Sequence, residues 1–234
     1  MDNLDERASL FLADPIPFEG NGVYPLKIKD IKELGFSNFY KVLQLLISDE
    51  NDLDECPKDR IIYPFDIFFS NIVYCQDVAF QESILSFLKL IFDKSDVYIG
   101  EDFISIGEDI ALHFQNYDEL VEIIKKQYCI KKIPQKAKTA KQKEIDQLRS
   151  EKRKKYARWF EEDTEDIVDL LSSICAVHPS INNENIENKT IYYLIDQFKR
   201  VGKRDDYFIG IKQLLAGASK EDINLTHWTK KIVN

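Results

Sequence analysis

A strongly basic stretch between two segments rich in apolar residues sets the outline of this chain. Residues 131–158 carry 12 basic and 3 acidic side chains, net +9, whereas residues 1–130 are net −14 and residues 159–234 net −4. Between Lys136 and Phe160 only Ile145, Leu148, Tyr156, Trp159 and Phe160 are large and apolar. So few apolar groups cannot close a core. A heptad frame through Ile145 and Leu148 puts Lys152 and Lys155 at the next core positions, so a coiled coil is not expected either. The chain therefore reads as a mainly helical domain over 1–134, a basic helical connector over 135–162 and a small C-terminal helical bundle over 163–234.

Composition narrows the class. With 44% hydrophobic residues, 15 Phe and 11 Tyr in 234 residues, wholesale disorder is excluded. The longest uncharged apolar stretches, Ile67–Cys75 and Ile84–Leu88, are far shorter than the roughly 20 residues of a membrane helix. The segment Met1–Glu6 is acidic and has no apolar signal core, so a cytosolic protein is expected. Cys56, Cys75, Cys129 and Cys175 are too widely spaced for a disulfide framework or a zinc site and read as reduced thiols.

Periodicity places the elements. Phe36, Phe39, Tyr40, Leu43, Leu46 and Ile47 share one helix face. Pro64 suits the first turn of a helix carrying Phe65, Phe68, Phe69 and Ile72, and Phe80–Phe92 is apolar almost all round. Tyr117, Leu120, Val121, Ile124 and Tyr128 form another stripe, with Asn116 as N-cap and Glu119 three residues on. Two hairpins are expected, near 16–28 with Asn21-Gly22 as a tight turn, and over 97–106 around Gly100-Glu101-Asp102. In the last third, stripes at 167–174, 191–201 and 207–215 read as three helices able to pack on one another. Gly217 is placed to cap the third, and a final amphipathic turn runs through Leu225, Trp228 and Ile232.

The chemistry-bearing patterns point away from catalysis. Counted from Asp49, the acidic run to Glu55 puts Asp54 and Arg60 where a calcium loop needs Gly and Glu. Cys175 and His178 would share a helix face but have no second pair nearby. No phosphate-binding loop, dinucleotide fingerprint, nucleophile elbow or H-E-x-x-H is present. A non-enzymatic protein without cofactor or metal is the expectation. Lys152, Arg153, Lys154 and Lys155, followed by Trp159, offer an alternative as a nucleic-acid contact within 136–159, with phosphates on the cations and bases on the aromatic rings. The overall charge of −9 disfavours that partner.

Two stretches carry a family resemblance. Leu10–Gly20, followed by Val23–Asp30, resembles the opening "P-I-P-F-x-G…Y-P-[VL]-x-[MI]-x-D" of tail-locus proteins from phages and prophages of Gram-positive bacteria. Ile191–Arg200, then Leu214–Ala218 and His227-Trp228, is similar to the closing helices of phage tail assembly chaperones. These motifs span about a quarter of the chain and none is catalytic. The resemblance implies a non-virion assembly factor of the host cytoplasm. Such a factor coats the tape-measure protein, keeps its apolar surface from aggregating and helps recruit the tail-tube protein, with self-association as a further contact and no membrane partner. Phe198, Trp228 and Ile232 are the candidate partner contacts, with ordinary core packing as the alternative for each. A structural tail or baseplate component is the competing reading.

Overall fold

Apolar periodicity becomes helix wherever the sequence sustains it. The computed structural model describes residues 4–48, 63–130, 167–219, 223 and 225–230. Among them the order is Leu4–Leu12 (α1), Ile16–Phe18 (β1), Asn21–Val23 (β2), Ile28–Leu34 (α2), Phe36–Ile47 (α3), Pro64–Val73 (α4) and Val78–Phe92 (α5). Val97–Ile99 (β3), Ile104–Ile106 (β4), Ile110–Leu112 (β5), Tyr117–Gln127 (α6), Ile167–Val177 (α7) and Ile191–Leu215 (α8) follow. The fold is mainly α with two small antiparallel sheets, as the patterning implied. The expected connector over 135–162 and the acidic run 49–55 lie outside the described residues. Among the described residues, no helix is long and apolar enough to cross a membrane.

The core is built round α5. Ile84, Phe87, Leu88 and Ile91 are fully buried, and the helix packs against α2, α3, β2, β3 and β4. Asp77 starts it by accepting the Phe80 N–H at 3.1 Å. Phe39 of α3 meets Phe87 at 6.2 Å and Tyr128 edge-on at 5.2 Å. Residues from both sides of the basic stretch join one apolar cluster, which includes Ile174, Ile181, Ile191 and Leu194. Ile28 N–H donates to the Lys189 carbonyl at 3.0 Å, and Lys27 forms an isolated bridge with Thr190. The sequence boundary at 134/163 thus divides the order of elements, while this apolar cluster runs across it.

Three local readings are corrected. The first hairpin turns at Glu19-Gly20, with φ of 47° and 73°, and not at Asn21-Gly22. Two successive positive φ values are what a tight two-residue hairpin needs. Gly22 instead lies in β2, where an added Cβ would come within 2.7 Å of Pro15 Cβ. The strand ends at Val23, so the hairpin is shorter than 16–28, and Ile28 already opens α2. The second hairpin has the expected register, Val97 opposite Ile106, but gains a third strand, β5.

The third correction concerns the C-terminal third. The stripes at 191–201 and 207–215 lie on one 25-residue helix, α8, and so cannot pack on each other. At ~1.5 Å per residue it spans roughly 37 Å. Beyond Val201 only Gly210 is buried among its residues. Gly217, φ 96°, ends it as expected: Ala218 N–H bonds Gln213 and Gly217 N–H bonds Leu214, both at 3.0 Å.

Candidate functional site

An apolar groove of about 500 Å³ lies between α3, α7, α8 and the end of α6. Its origin is a surplus of apolar surface on α3. Phe39, Val42, Leu43 and Leu46 turn inward, and the remaining side of the stripe needs a second cover. That cover comes from α7 and α8, which contribute Ile167, Leu170, Ile195 and Phe198. The helices do not close completely. Tyr40 and Phe198 each remain 42% exposed on the groove, and the polar side chains at its margin are Gln44, Asp169 and Ser173.

The lining is mainly apolar apart from Gln44, Asp169 and Ser173. Tyr128 is buried there and receives the Leu26 N–H on its hydroxyl at 3.4 Å. Burial, more than the other influences, pushes its phenol well above the ordinary tyrosine range, so the group stays neutral. An open, mainly apolar, aromatic-rimmed groove suits apolar side chains, with Asp169 as the charged side chain at its margin.

The candidate contacts separate. Phe198 lines the groove. Trp228, half-buried, stacks on His227 at a ring separation of 5.9 Å, and His227 in turn meets Tyr207 of α8 at 5.0 Å. Phe198 and Tyr207 are nine residues apart, about half a turn round the helix at ~100° per residue. Residues 225–230 form no helix, which corrects the expected final amphipathic turn. They run back along α8 with Ile223 and Leu225 against Gly210, where an added Cβ would lie 3.0 Å from each. Ile232 lies outside the described residues, as do Lys152, Arg153, Lys154, Lys155 and Trp159.

The remaining sequence candidates have structural partners. His178 Nδ1 accepts the Ser180 N–H at 3.2 Å, and Cys175 packs against the core. Cys75, Cys129 and Cys175 form no disulfide, and among the described residues no group of three His, Cys, Asp or Glu side chains could hold a metal ion. Asn116 occupies the N-cap position of α6, but its side chain works backwards. It accepts His113 N–H at 2.9 Å and donates to the Ala111 carbonyl and to Glu19, at 2.9 and 3.3 Å. Sequence reasoning assigned Tyr40 to a core face and missed it as a rim residue. The breadth of the α3 stripe, six large side chains in twelve residues, is the signal that could have found it.

Likeness to known proteins is confined to the C-terminal part of the chain. Residues 153–233 match the family model of the YomV second domain, about a third of the chain, taking in α7, α8 and the returning tail. YomV is a Bacillus prophage protein, and the match points to a phage-derived protein. The chain matches no curated protein and no solved structure.

Proposed function

We propose that this protein is a non-enzymatic phage tail assembly chaperone of the host cytoplasm, left out of the mature virion. The observation that carries the reading is the groove of about 500 Å³ with Tyr40 and Phe198 on its rim. A tape-measure protein is long and helical, and its apolar stripe needs cover until the tube forms round it. A groove presenting aromatic anchors at its mouth is the surface that takes one face of such a helix. Similarity of residues 153–233 to a prophage protein domain supports the same setting, because α7 and α8 supply one wall of the groove. Recruitment of tail-tube subunits and self-association would use surfaces away from the groove.

Co-expression with the tape-measure protein tests the proposal. Wild type should keep the partner soluble, and Phe198→Asp should stay folded yet lose that effect. Trp228→Ala, on another side of α8, should retain it. Failure of wild type to solubilise the partner sinks the chaperone reading. Recovery of the chain in purified virions by mass spectrometry would establish the structural-component reading instead. Steeply salt-dependent DNA retention, lost when Lys152, Arg153, Lys154 and Lys155 become Gln, would favour the nucleic-acid reading.

A further inference from the structure

Among the described residues, the three-stranded sheet pairs with no further strand at its outer edge, β3. Its order is β3-β4-β5, so β3 is outermost. Gly100 N–H donates to the Phe103 carbonyl at 2.9 Å and Gly107 N–H to Asp96 at 2.8 Å. Alternation in an antiparallel pair then directs the backbone of Asp96, Tyr98 and Gly100 toward β4. The N–H and C=O groups of Val97 and Ile99 face the other way, and among the described residues no strand meets them. Ile99 is 36% exposed and Val97 half-buried, whereas Ile104 and Ile106 opposite them on β4 are fully buried; Tyr98, opposite Ser105 on the other face, is 63% exposed. Protein edges are ordinarily blunted by Pro, Lys or a bulge. Pro17 does this for β1; β3 has none of the three, and its three-residue length and acidic flanks are what guard it.

Charge decides what can pair there. From residue 93 to residue 112 the chain carries six exposed carboxylates, Asp93, Asp96, Glu101, Asp102, Glu108 and Asp109. One lysine accompanies them, Lys94, and it already lies 3.2 Å from Asp109. A second copy of β3 would bring acid against acid whether it ran parallel or antiparallel, because Asp96 precedes the strand and Glu101-Asp102 follows it. Neutral strands gain nothing from the flanks. A segment with cations on either side of a short apolar stretch meets a carboxylate at each end and hydrogen-bond partners between. We propose that the outer edge of β3 takes an extended basic segment of a partner protein as the fourth strand of this sheet. Backbone groups of Val97 and Ile99 supply the ladder, the exposed flank of Ile99 gains cover, and the carboxylates select the partner's charge.

The test uses the full chain and no phage protein, so its outcome is separate from that of the chaperone reading. Calorimetric titration compares the peptide Lys-Arg-Val-Thr-Val-Thr-Val-Arg-Lys with a counterpart having Glu at every basic position. A third peptide is the basic one N-methylated on alternate amides, which keeps the charge but cannot complete a ladder. Binding of the basic peptide, absence of binding by the acidic one, and weakening of about tenfold or more on N-methylation are the expected results. Ile99→Pro removes one outward N–H without touching the β4 ladder and should weaken binding similarly, with circular dichroism unchanged. Equal binding of the N-methylated and unmodified peptides would reduce the effect to charge alone and overturn the proposal. No binding of the basic peptide, or equal binding of the acidic one, also overturns it. Should Ile99→Pro fail to fold, the N-methylated peptide decides the matter on the wild-type chain.

Discussion

Gln127 donates a 2.8 Å hydrogen bond from Nε2 to the carbonyl of Val23, and both residues are fully buried. Together with the Tyr128 hydroxyl on Leu26 N–H and the Ile91 carbonyl on Tyr24 N–H, this bond ties down the backbone that runs from the last residue of β2 toward α2. Among the described residues, Oε1 of Gln127 has no partner. Gln127→Leu removes that lone acceptor together with one of the hydrogen bonds on the Val23 carbonyl, whose residue stays paired with Ile16, and should cost about 1 kcal/mol. Gln127→Glu loses the donor and buries a charge, so it should cost more, roughly 3 kcal/mol or above at neutral pH. Burial raises the folded-state pKa of the new carboxyl, so that penalty should shrink as pH falls through the raised value and be gone below about 4.3, the ordinary value kept by the unfolded chain. Urea unfolding of the two variants gives the ranking, and a smaller loss for Glu than for Leu at neutral pH would contradict it.

Alkaline pH should unfold this protein through two phenols. Tyr117 donates to the Leu46 carbonyl at 3.0 Å, and burial, then Asp118, pushes its pKa well up. Tyr128 is raised by burial against the opposing pull of the Leu26 N–H. A raised folded pKa means stability present in full below the ordinary value of 10.0 and lost as pH rises beyond it. Melting temperature followed from about pH 8 to 12 should fall steeply above about pH 10. Tyr117→Phe with Tyr128→Phe should flatten that fall while costing about 1 kcal/mol per lost bond at neutral pH.

Two helix ends should both favour glycine. Ala13 follows α1 at φ 63°, a left-handed conformation that a Cβ disfavours, so Ala13→Gly should stabilise by about 0.5–1 kcal/mol. Gly217 already suits its φ of 96°, and Gly217→Ala should destabilise by about 1 kcal/mol. Chemical denaturation of both variants checks the signs.

Phe198→Asp and Phe87→Ala should separate surface from core. Phe198 is 42% exposed, so the charge should change stability by less than about 1 kcal/mol while abolishing solubilisation of the tape-measure protein. Phe87 is fully buried, and its truncation should cost about 3–5 kcal/mol. A large loss of stability in Phe198→Asp would make that ring part of the core.

Trypsin should cut first among Lys136–Arg158, where its sites are densest. The two fragments should then co-elute in gel filtration, because one apolar cluster takes residues from both. Fragments that separate without denaturant would instead show two independently stable domains.

Much of the helical framework is legible in the sequence because α3, α4, α5 and α6 each keep a 3.6-residue period over ten residues or more. Helix ends are harder. Ala13, Asp93 and Cys129 all take the left-handed conformation that a reader looks for at glycine. The Asn21-Gly22 pair imitates a turn, but the need for glycine there comes from Pro15, which no local pattern displays. Three residues, Ile110–Leu112, are too few for alternation to announce a strand. Lys203-Arg204-Asp205-Asp206 reads as a break between two helices, although charged residues sit comfortably on the exposed side of one. The groove could be read only in halves. Its walls, 36–47 and 167–198, stand far apart along the chain, and only packing brings Tyr40 and Phe198 to one opening.

The docking of α1 on α8 imposes a schedule on synthesis. Phe11 meets Tyr193 at 5.2 Å, and Lys189 Nζ sits 5.2 Å from the centre of the same tyrosine ring. A ribosome adds about 5–20 residues per second, so the first helix waits roughly 10–40 s before its seat is translated. Nine residues alone make a marginal helix in water, and α1 therefore joins the fold late. It buries only Leu10 among its own residues, so little apolar surface is left uncovered during that wait. A polypeptide released early, anywhere in the basic stretch, would carry an α1 held by its contacts with β1 and by the Glu6–Lys126 ion pair, without its seat on α8.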